Sequence, residues 1–283
     1  MATLTTFYPA TKAKSSEVNA NFSALNSDIT TLDGRIGTLE SSATSQAGWV
    51  TVTDTWTYAS ADDPTFTFTI SGDKTAVLSA GMKIKLTQTS AKYFIITNVT
   101  YGAPNTTVTV YGGTDYDLTN ATITSPYYST ARAPQGFPLS PSKWTVTVSD
   151  ASDYSQVAPA SGTWYNATSI TIPIGDWRAS YSCVLYCDDD NTGGYVGAIG
   201  HTTLSTANNT ESDPTFSAYD QAKYSGVSNN AYSSSSVYRS RPLTLTAKAT
   251  YYLNYKTSQA NQYSVAIRGS IATTIIEAVC TYL

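Results

Sequence analysis

EVNANFSALNSDITTLDGRIGTLE, residues 17–40, is the only long segment of the chain with the periodicity of a helix. Its apolar residues are Val18, Phe22, Leu25, Ile29, Leu32, Ile36 and Leu39, spaced alternately by four and three. That spacing is a heptad, with Phe22, Ile29 and Ile36 at a and Val18, Leu25, Leu32 and Leu39 at d. The residues between them are small, polar or charged, so the stripe is narrow, unlike the wider face of a helix lying on a globular core. A helix of this length spans roughly 33 Å. Alone it is marginal, and Gly34 and Gly37 each weaken it by about 1 kcal/mol. Burying seven side chains at about 1.5–3 kcal/mol each overcomes that deficit, provided something covers them. The simplest cover is the same helix from another copy; a helix packed on its own domain is the alternative. Arg35 at g and Glu40 at the following e are spaced for an interchain ion pair, which guides register more than strength. Ile at a with Leu at d favours two parallel strands, whereas Phe22 at a suits a roomier core.

Ser41 to Gly48 reads as a short polar joint, and beyond it the period changes to two. In TFTFTI, Phe66, Phe68 and Ile70 alternate with threonines; in GMKIKLTQ, Met82, Ile84 and Leu86 alternate with Lys83 and Lys85. KYFIITNV is a more continuous apolar run, and TTVTVYGG returns to alternation before Gly112-Gly113. Short strands with turn signals between them predict a small antiparallel β-barrel or sandwich over 49–125. Pro126, Pro134, Pro138 and Pro141 crowd the next stretch, which is expected to be a stiff linker over 126–142. A second unit, 143–283, begins with WTVTV. It continues with SITIPI and with WRASYSCVLYC, where Trp177, Ala179, Tyr181, Cys183, Leu185 and Cys187 share a face. LTLTAKATYYLNY reads as one strand with Leu243 to Tyr255 alternating inward, and the Ser/Asn/Thr-rich 205–240 region as long loops. The expected fold is therefore mainly β: an N-terminal coiled-coil helix, a small antiparallel module and a C-terminal jelly-roll-like β-sandwich. Asp63-Pro64-Thr65-Phe66 recurs as Asp213-Pro214-Thr215-Phe216, too little to define a repeat.

Charged residues make up only 13% of the 283, about half the usual share, so the surface must be built from Thr, Ser, Asn and the 22 tyrosines. A net charge of −4 without basic runs argues against a nucleic-acid partner. No segment has the apolar length of a membrane span, and the N-terminus lacks the apolar core of a secretory signal. Cys183, Cys187 and Cys280 form no disulfide framework and read as buried small hydrophobes, in keeping with synthesis in a reducing cytosol.

Little in the sequence points to catalysis, and the chain is not expected to be an enzyme. His201 has no nucleophile motif beside it, and neither a cofactor nor a metal site is expected. The cluster Asp188-Asp189-Asp190-Asn191 before glycines has the look of a calcium loop. However, Ile199 stands where an EF-hand carries its bidentate Glu, and a hairpin tip accounts for the same residues. Among Asp63, Asp115, Asp117, Asp176 and Glu277 nothing singles out the pair a glycoside hydrolase needs. Tyrosine is the remaining resource: Tyr127, Tyr128 and Tyr186, and above all Tyr195, Tyr219, Tyr224, Tyr232 and Tyr238, read as outward rings able to stack on sugars. The alternative is that they merely populate strands.

KSSEVNANFSAL resembles the start of the oligomeric helix in many bacteriophage fibre and tail proteins. The middle block, from SGDKTAVLSAGMKIKLTQTSAKYFIITNV to SPYYSTARAPQGFPLSP, is similar to a module recurring in phage virion proteins. The ending, ITIPIGDWRASYSCVLYC through LTLTAKATYYLNYKT, is similar to phage fibre tips. The resemblance implies a homotrimer in the virion, assembled in the bacterial cytoplasm, attached to other virion proteins through residues 1–14. It implies contact between the C-terminal domain and a host surface, with a glycan as the expected ligand. A purely structural head-fibre, collar or tail-assembly role is the second expectation, and a polysaccharide-degrading enzyme the third.

Overall fold

The computed structural model describes residues 14–189, 198–222, 232–259 and 262–283, together with Thr6 and Lys12. Helix α1 runs Ser15–Gln46, about 48 Å at 1.5 Å per residue. Glu17 accepts from the Lys14 backbone N–H at 3.4 Å, half of a capping box that starts the helix. The helix absorbs nearly all of the expected joint and stops at Gly48, whose φ of +76° lies in the left-handed region. A side chain there would meet Pro134 Cα at 3.2 Å, so only glycine turns the chain into the β-units at this point.

Seven strands follow: β1 Val50–Thr51, β2 Trp56–Asp62, β3 Thr65–Ser71, β4 Lys83–Thr87, β5 Ala91–Gly102, β6 Asn105–Tyr111 and β7 Thr124–Ser129. They form one antiparallel sheet in the order β1-β7-β4-β5-β6-β3-β2. The sheet stays open, which corrects the barrel expectation: β1 and β2 are its two edges. One face buries Trp56, Phe66, Phe68, Ile84, Leu86, Phe94, Ile96, Val108 and Val110 among one another. The other face carries Ile95 and Tyr111, which belong to a second core continuous with the C-terminal unit. KYFIITNV is apolar on successive residues because both faces of β5 are covered.

The proline-rich stretch is not a free linker. Pro126 lies inside β7, where the register against β4 slips between Lys85 and Thr87 and Ser125 takes φ +45°. A proline next to the two-residue strand β1 is tolerated because this bulge removes the ladder bond it could not make. Phe137 and Trp144 are buried, with their rings stacked at 5.1 Å.

The C-terminal unit has two antiparallel sheets. One contains β8 Thr145–Asp150, β9 Asp153–Val157, β11 Gly175–Asp189, β14 Tyr232–Leu245, β16 Gln262–Arg268 and β17 Thr274–Cys280. In it β11 pairs with β14 along one edge and with β17 and then β16 along the other. The second sheet has the order β10-β15-β12-β13, from β10 Tyr165–Ile172, β12 Ala198–Ser205, β13 Ser217–Ala222 and β15 Ala249–Thr257. Trp177, Ala179, Tyr181, Cys183, Leu185 and Cys187 all face the core between the sheets, and the three cysteines are free and buried. Burial raises the pKa of all three thiols, Cys187 and Cys280 to about 11 and Cys183 to about 12.

Two readings of this half are corrected. YSSSSVYRSRPLTL, expected among loops, is the fourteen-residue strand β14; its serines are held by pairing with β11, which intrinsic propensity does not report. The expected single strand from Leu243 to Tyr255 breaks after Leu245, and Ala247 is exposed in the turn before β15. The two DPTF stretches differ: the first starts β3 beyond a cis Pro64, and the second forms a short 3₁₀ turn capped by Asp213.

The two β-units meet at a ring cluster. Tyr111 lies edge-on to Trp144 at 6.0 Å and to Trp177 at 5.0 Å, and Trp49, at the root of α1, is 3% exposed in the same core. Lys83, expected on a polar face, is 2% exposed here. Its ammonium donates to the carbonyls of Gly81 and Tyr282 and lies 5.6 Å from the Phe137 ring centroid, and burial lowers its pKa.

Candidate functional site

Two surfaces carry the features a function would use. The first is α1. Phe22 is 67% exposed, Ile29 60% and Leu39 66%; Leu25, Leu32 and Ile36 are exposed as well, and Val18 is half-buried. All seven residues fall within one continuous helix, so the heptad seam runs along one side of it. In the single chain the seam is uncovered. At the other end of the helix, Trp49 Nε1 donates to the Gln135 carbonyl at 2.8 Å and the Gln135 N–H to the Ala47 carbonyl at 2.9 Å. The helix is thus rooted in the core shared by the two β-units while its apolar stripe points into solvent.

The second surface is the outer face of the β10-β15-β12-β13 sheet. Thr202 is buried and meets the Tyr181 hydroxyl at 3.1 Å, which fixes its neighbour His201 on the outward side. His201 stands opposite Lys256 on β15 and opposite Tyr219 on β13. Trp164 immediately precedes Tyr165, the partner of Tyr255, and the Lys256 ammonium lies 4.3 Å from the Trp164 ring centroid. Trp164, Lys256, His201 and Tyr219 therefore form one cross-strand row. His201 Nε2 shares a hydrogen bond of 3.1 Å with Ser258 Oγ, and its ring lies 6.0 Å from that of Tyr219. Burial chiefly, and then the Lys256 charge, hold the His201 pKa below the usual value, against the pull of Glu211. Glu211 accepts from the Ser217 hydroxyl, two residues before Tyr219 on the same face of β13.

Of the tyrosines expected at a receptor surface, Tyr219 is 67% exposed and Tyr238 61%, but they lie on the outer faces of different sheets and form no common platform. Tyr195 and Tyr224 lie outside the described residues, as does the Tyr232 side chain. Tyr127 and Tyr128 are half-buried, one packed on each core of the first sheet, which corrects their outward placement. Tyr186 is half-buried with the Arg268 guanidinium 4.9 Å from its ring centroid.

The carboxylates considered for hydrolysis are dispersed. Asp115 pairs with Lys143, Asp176 buries a carboxylate oxygen that has no hydrogen-bond partner among the described residues, and Glu277 accepts from Ser180. Where the open sheet fails to close, a cleft of about 450 Å³ separates Thr55–Tyr58 from Asn120–Ile123. Trp56, with a buried indole N–H that has no partner, lines both this cleft and a smaller cavity beside Val52, Ile70, Leu78 and Tyr128. Neither space holds two carboxylates. Asp190 and the loop after it lie outside the described residues, and no group of metal-binding side chains is found among those described. No described helix is long and apolar enough to cross a membrane.

No one-dimensional signal marks the outer-face row, because its members are separated by up to 92 positions and only the strand register unites them. The Ser258–His201 contact is equally invisible to a motif search.

No family model and no curated protein matches the chain. Among solved structures there is a likeness to the T=1 particles derived from infectious bursal virus, at 13% identity and a TM-score of 0.22. It covers 80% of this chain, and this chain spans 60% of that one. A score that low lends neither a topology nor a function.

Proposed function

We propose that this chain is a structural component of a bacteriophage virion: a homotrimeric fibre joined through α1, whose C-terminal sandwich contacts a host-surface glycan. The observation that carries the reading is the uncovered stripe, six exposed large apolar side chains in heptad register on one helix. Water disfavours that surface by about 25 cal/mol per Å², and parallel copies of α1 remove it with knobs-into-holes packing. Three chains rather than two follow from the resemblance of the KSSEVNANFSAL, middle and terminal blocks to phage fibre proteins. Residues 1–14, nearly all outside the described part, are assigned to attachment on the particle by the same resemblance. The chain is taken to act by binding, without catalysis.

Sedimentation equilibrium of the full chain at micromolar concentration tests this. The expected mass is that of three chains, and a compact monomer overturns the reading. Competition with virions for adsorption tests the host contact separately. The core shared by the two β-units also suits a purely structural head-fibre, collar or tail-assembly part. That reading replaces receptor contact if the trimer forms but does not compete.

A further inference from the structure

We infer that the outer face of the β10-β15-β12-β13 sheet binds an acidic oligosaccharide along the row Trp164, Lys256, His201 and Tyr219; this rests on the receptor-contact reading and gives it a site.

The row combines what a saccharide uses and little else. A pyranose presents an apolar C–H face and a rim of hydroxyls, so it pairs with an exposed ring flanked by polar atoms. Tyr219, 67% exposed, supplies the ring, and His201 and Ser258 supply the polar atoms beside it. The row is polarised. At one end the Lys256 ammonium rests over Trp164 and has no carboxylate partner among the described residues. Lys74, Lys143, Lys248, Arg241 and Arg268, by contrast, are each paired with an aspartate. At the other end Glu211, held by Ser217, offers an acceptor to sugar hydroxyls. Lys256 and Tyr219 stand two strand spacings apart, roughly 10 Å. A ligand satisfying both ends carries its carboxylate over Lys256 and stacks its neighbouring ring on Tyr219. A neutral sugar leaves the cation without a partner, and a bare anion leaves the aromatic face unused.

The geometry also makes the site testable without unfolding the protein. Lys256 and His201 are half-buried and Tyr219 exposed, all on an outward face, while the packing beneath is made by Thr202, Leu253, Tyr255 and Ala218. Isothermal titration of the full chain with trigalacturonate and with its methyl ester isolates the charge, since esterification keeps the rings. We expect the acid to bind at least about tenfold more tightly than the ester, the scale of one charge-assisted hydrogen bond. Lys256→Gln should erase that difference. Tyr219→Ala should weaken both ligands about tenfold, and Tyr219→Phe should not. Unchanged melting of each variant keeps the comparison valid.

Equal binding of acid and ester overturns the inference, as does the absence of heat with either, or displacement of trigalacturonate by equimolar inorganic phosphate. Adsorption distinguishes this failure from that of the reading beneath it. If the parent and Lys256→Gln chains compete equally well with virions, the host contact stands and this site falls. If the parent binds the acid in a Lys256-dependent way but does not compete, the site stands and the host contact falls.

Discussion

Phe22 and Trp49 belong to one helix and the turn that ends it, yet Phe22 is 67% exposed and Trp49 3%. Above Gly48 the apolar residues from Phe22 to Leu39 stand exposed. Below it, Trp49, Phe137, Trp144, Tyr111 and Trp177 fill a core to which both β-units contribute. Both sets are built of large, mainly apolar side chains, and they differ in geometry. A 3.5-residue period gives a straight stripe that only another helix fits, whereas rings from separated strands and loops close on each other at 5–6 Å. One surface is complete within the chain, and the other is left open to solvent.

The comparison breaks most decisively at the seam. Ile29→Asp puts a charge at the middle a position of every copy, and the proposed trimer would lose three side chains from its seam, each worth about 1.5–3 kcal/mol when buried. The expected outcome is dissociation to monomer in sedimentation, with near-ultraviolet circular dichroism of the β-units unchanged. If the β-units melt too, the stripe is not an independent surface.

Trp144→Ala makes the reciprocal test at the root. It removes a fully buried ring stacked on Phe137 and should cost about 3–5 kcal/mol in urea unfolding while leaving the mass in sedimentation unchanged. Lys83→Ala should cost about 2–4 kcal/mol, because it opens a cavity and leaves the carbonyls of half-buried Gly81 and Tyr282 without this donor. A loss below 1 kcal/mol would show that the β-units do not depend on this contact.

Gly34 and Gly37 sharpen the contrast from the other direction. They occupy f and b positions, and an added Cβ meets nothing within 4 Å. Gly34→Ala and Gly37→Ala should each stabilise the helix by about 1 kcal/mol per copy, read as a higher melting temperature of the far-ultraviolet helical signal. The smallest effect belongs to the outer-face row. The folded-state pKa of His201 is lowered, so the unfolded chain binds more protons just below about pH 6.5. Stability is therefore full above that pH and declines as pH falls through the lowered value. His201→Gln should flatten the slope between pH 7 and 5 in thermal melts.

Much of the β-architecture was legible from alternation. The inward face of β11, the strands TFTFTI and TTVTV, and the Gly112-Gly113 stop all lie where period two puts them. Period two says which residues share a face and is silent on whether the opposite face is covered as well. Lys83 therefore read as solvent-exposed although a second unit closes over it, and 126–142 read as a linker although Phe137 is in the core. Low-propensity serines hid β14, because a strand's stability there comes from its partner, with which it pairs from Asp188 to Gly175. The candidate site was legible only at Tyr219; Trp164, Lys256, Ser258 and Glu211 carry no local pattern at all.

The amino-acid sequence alone determined the helix, its heptad stripe and the mainly β character of everything after it, because each is a periodicity between near neighbours. Tertiary structure alone decided that the first sheet stays open, that the two units share a core, and that Trp164, Lys256, His201 and Tyr219 stand in line. Those outcomes depend on register between strands far apart in the chain, a quantity that no local period encodes.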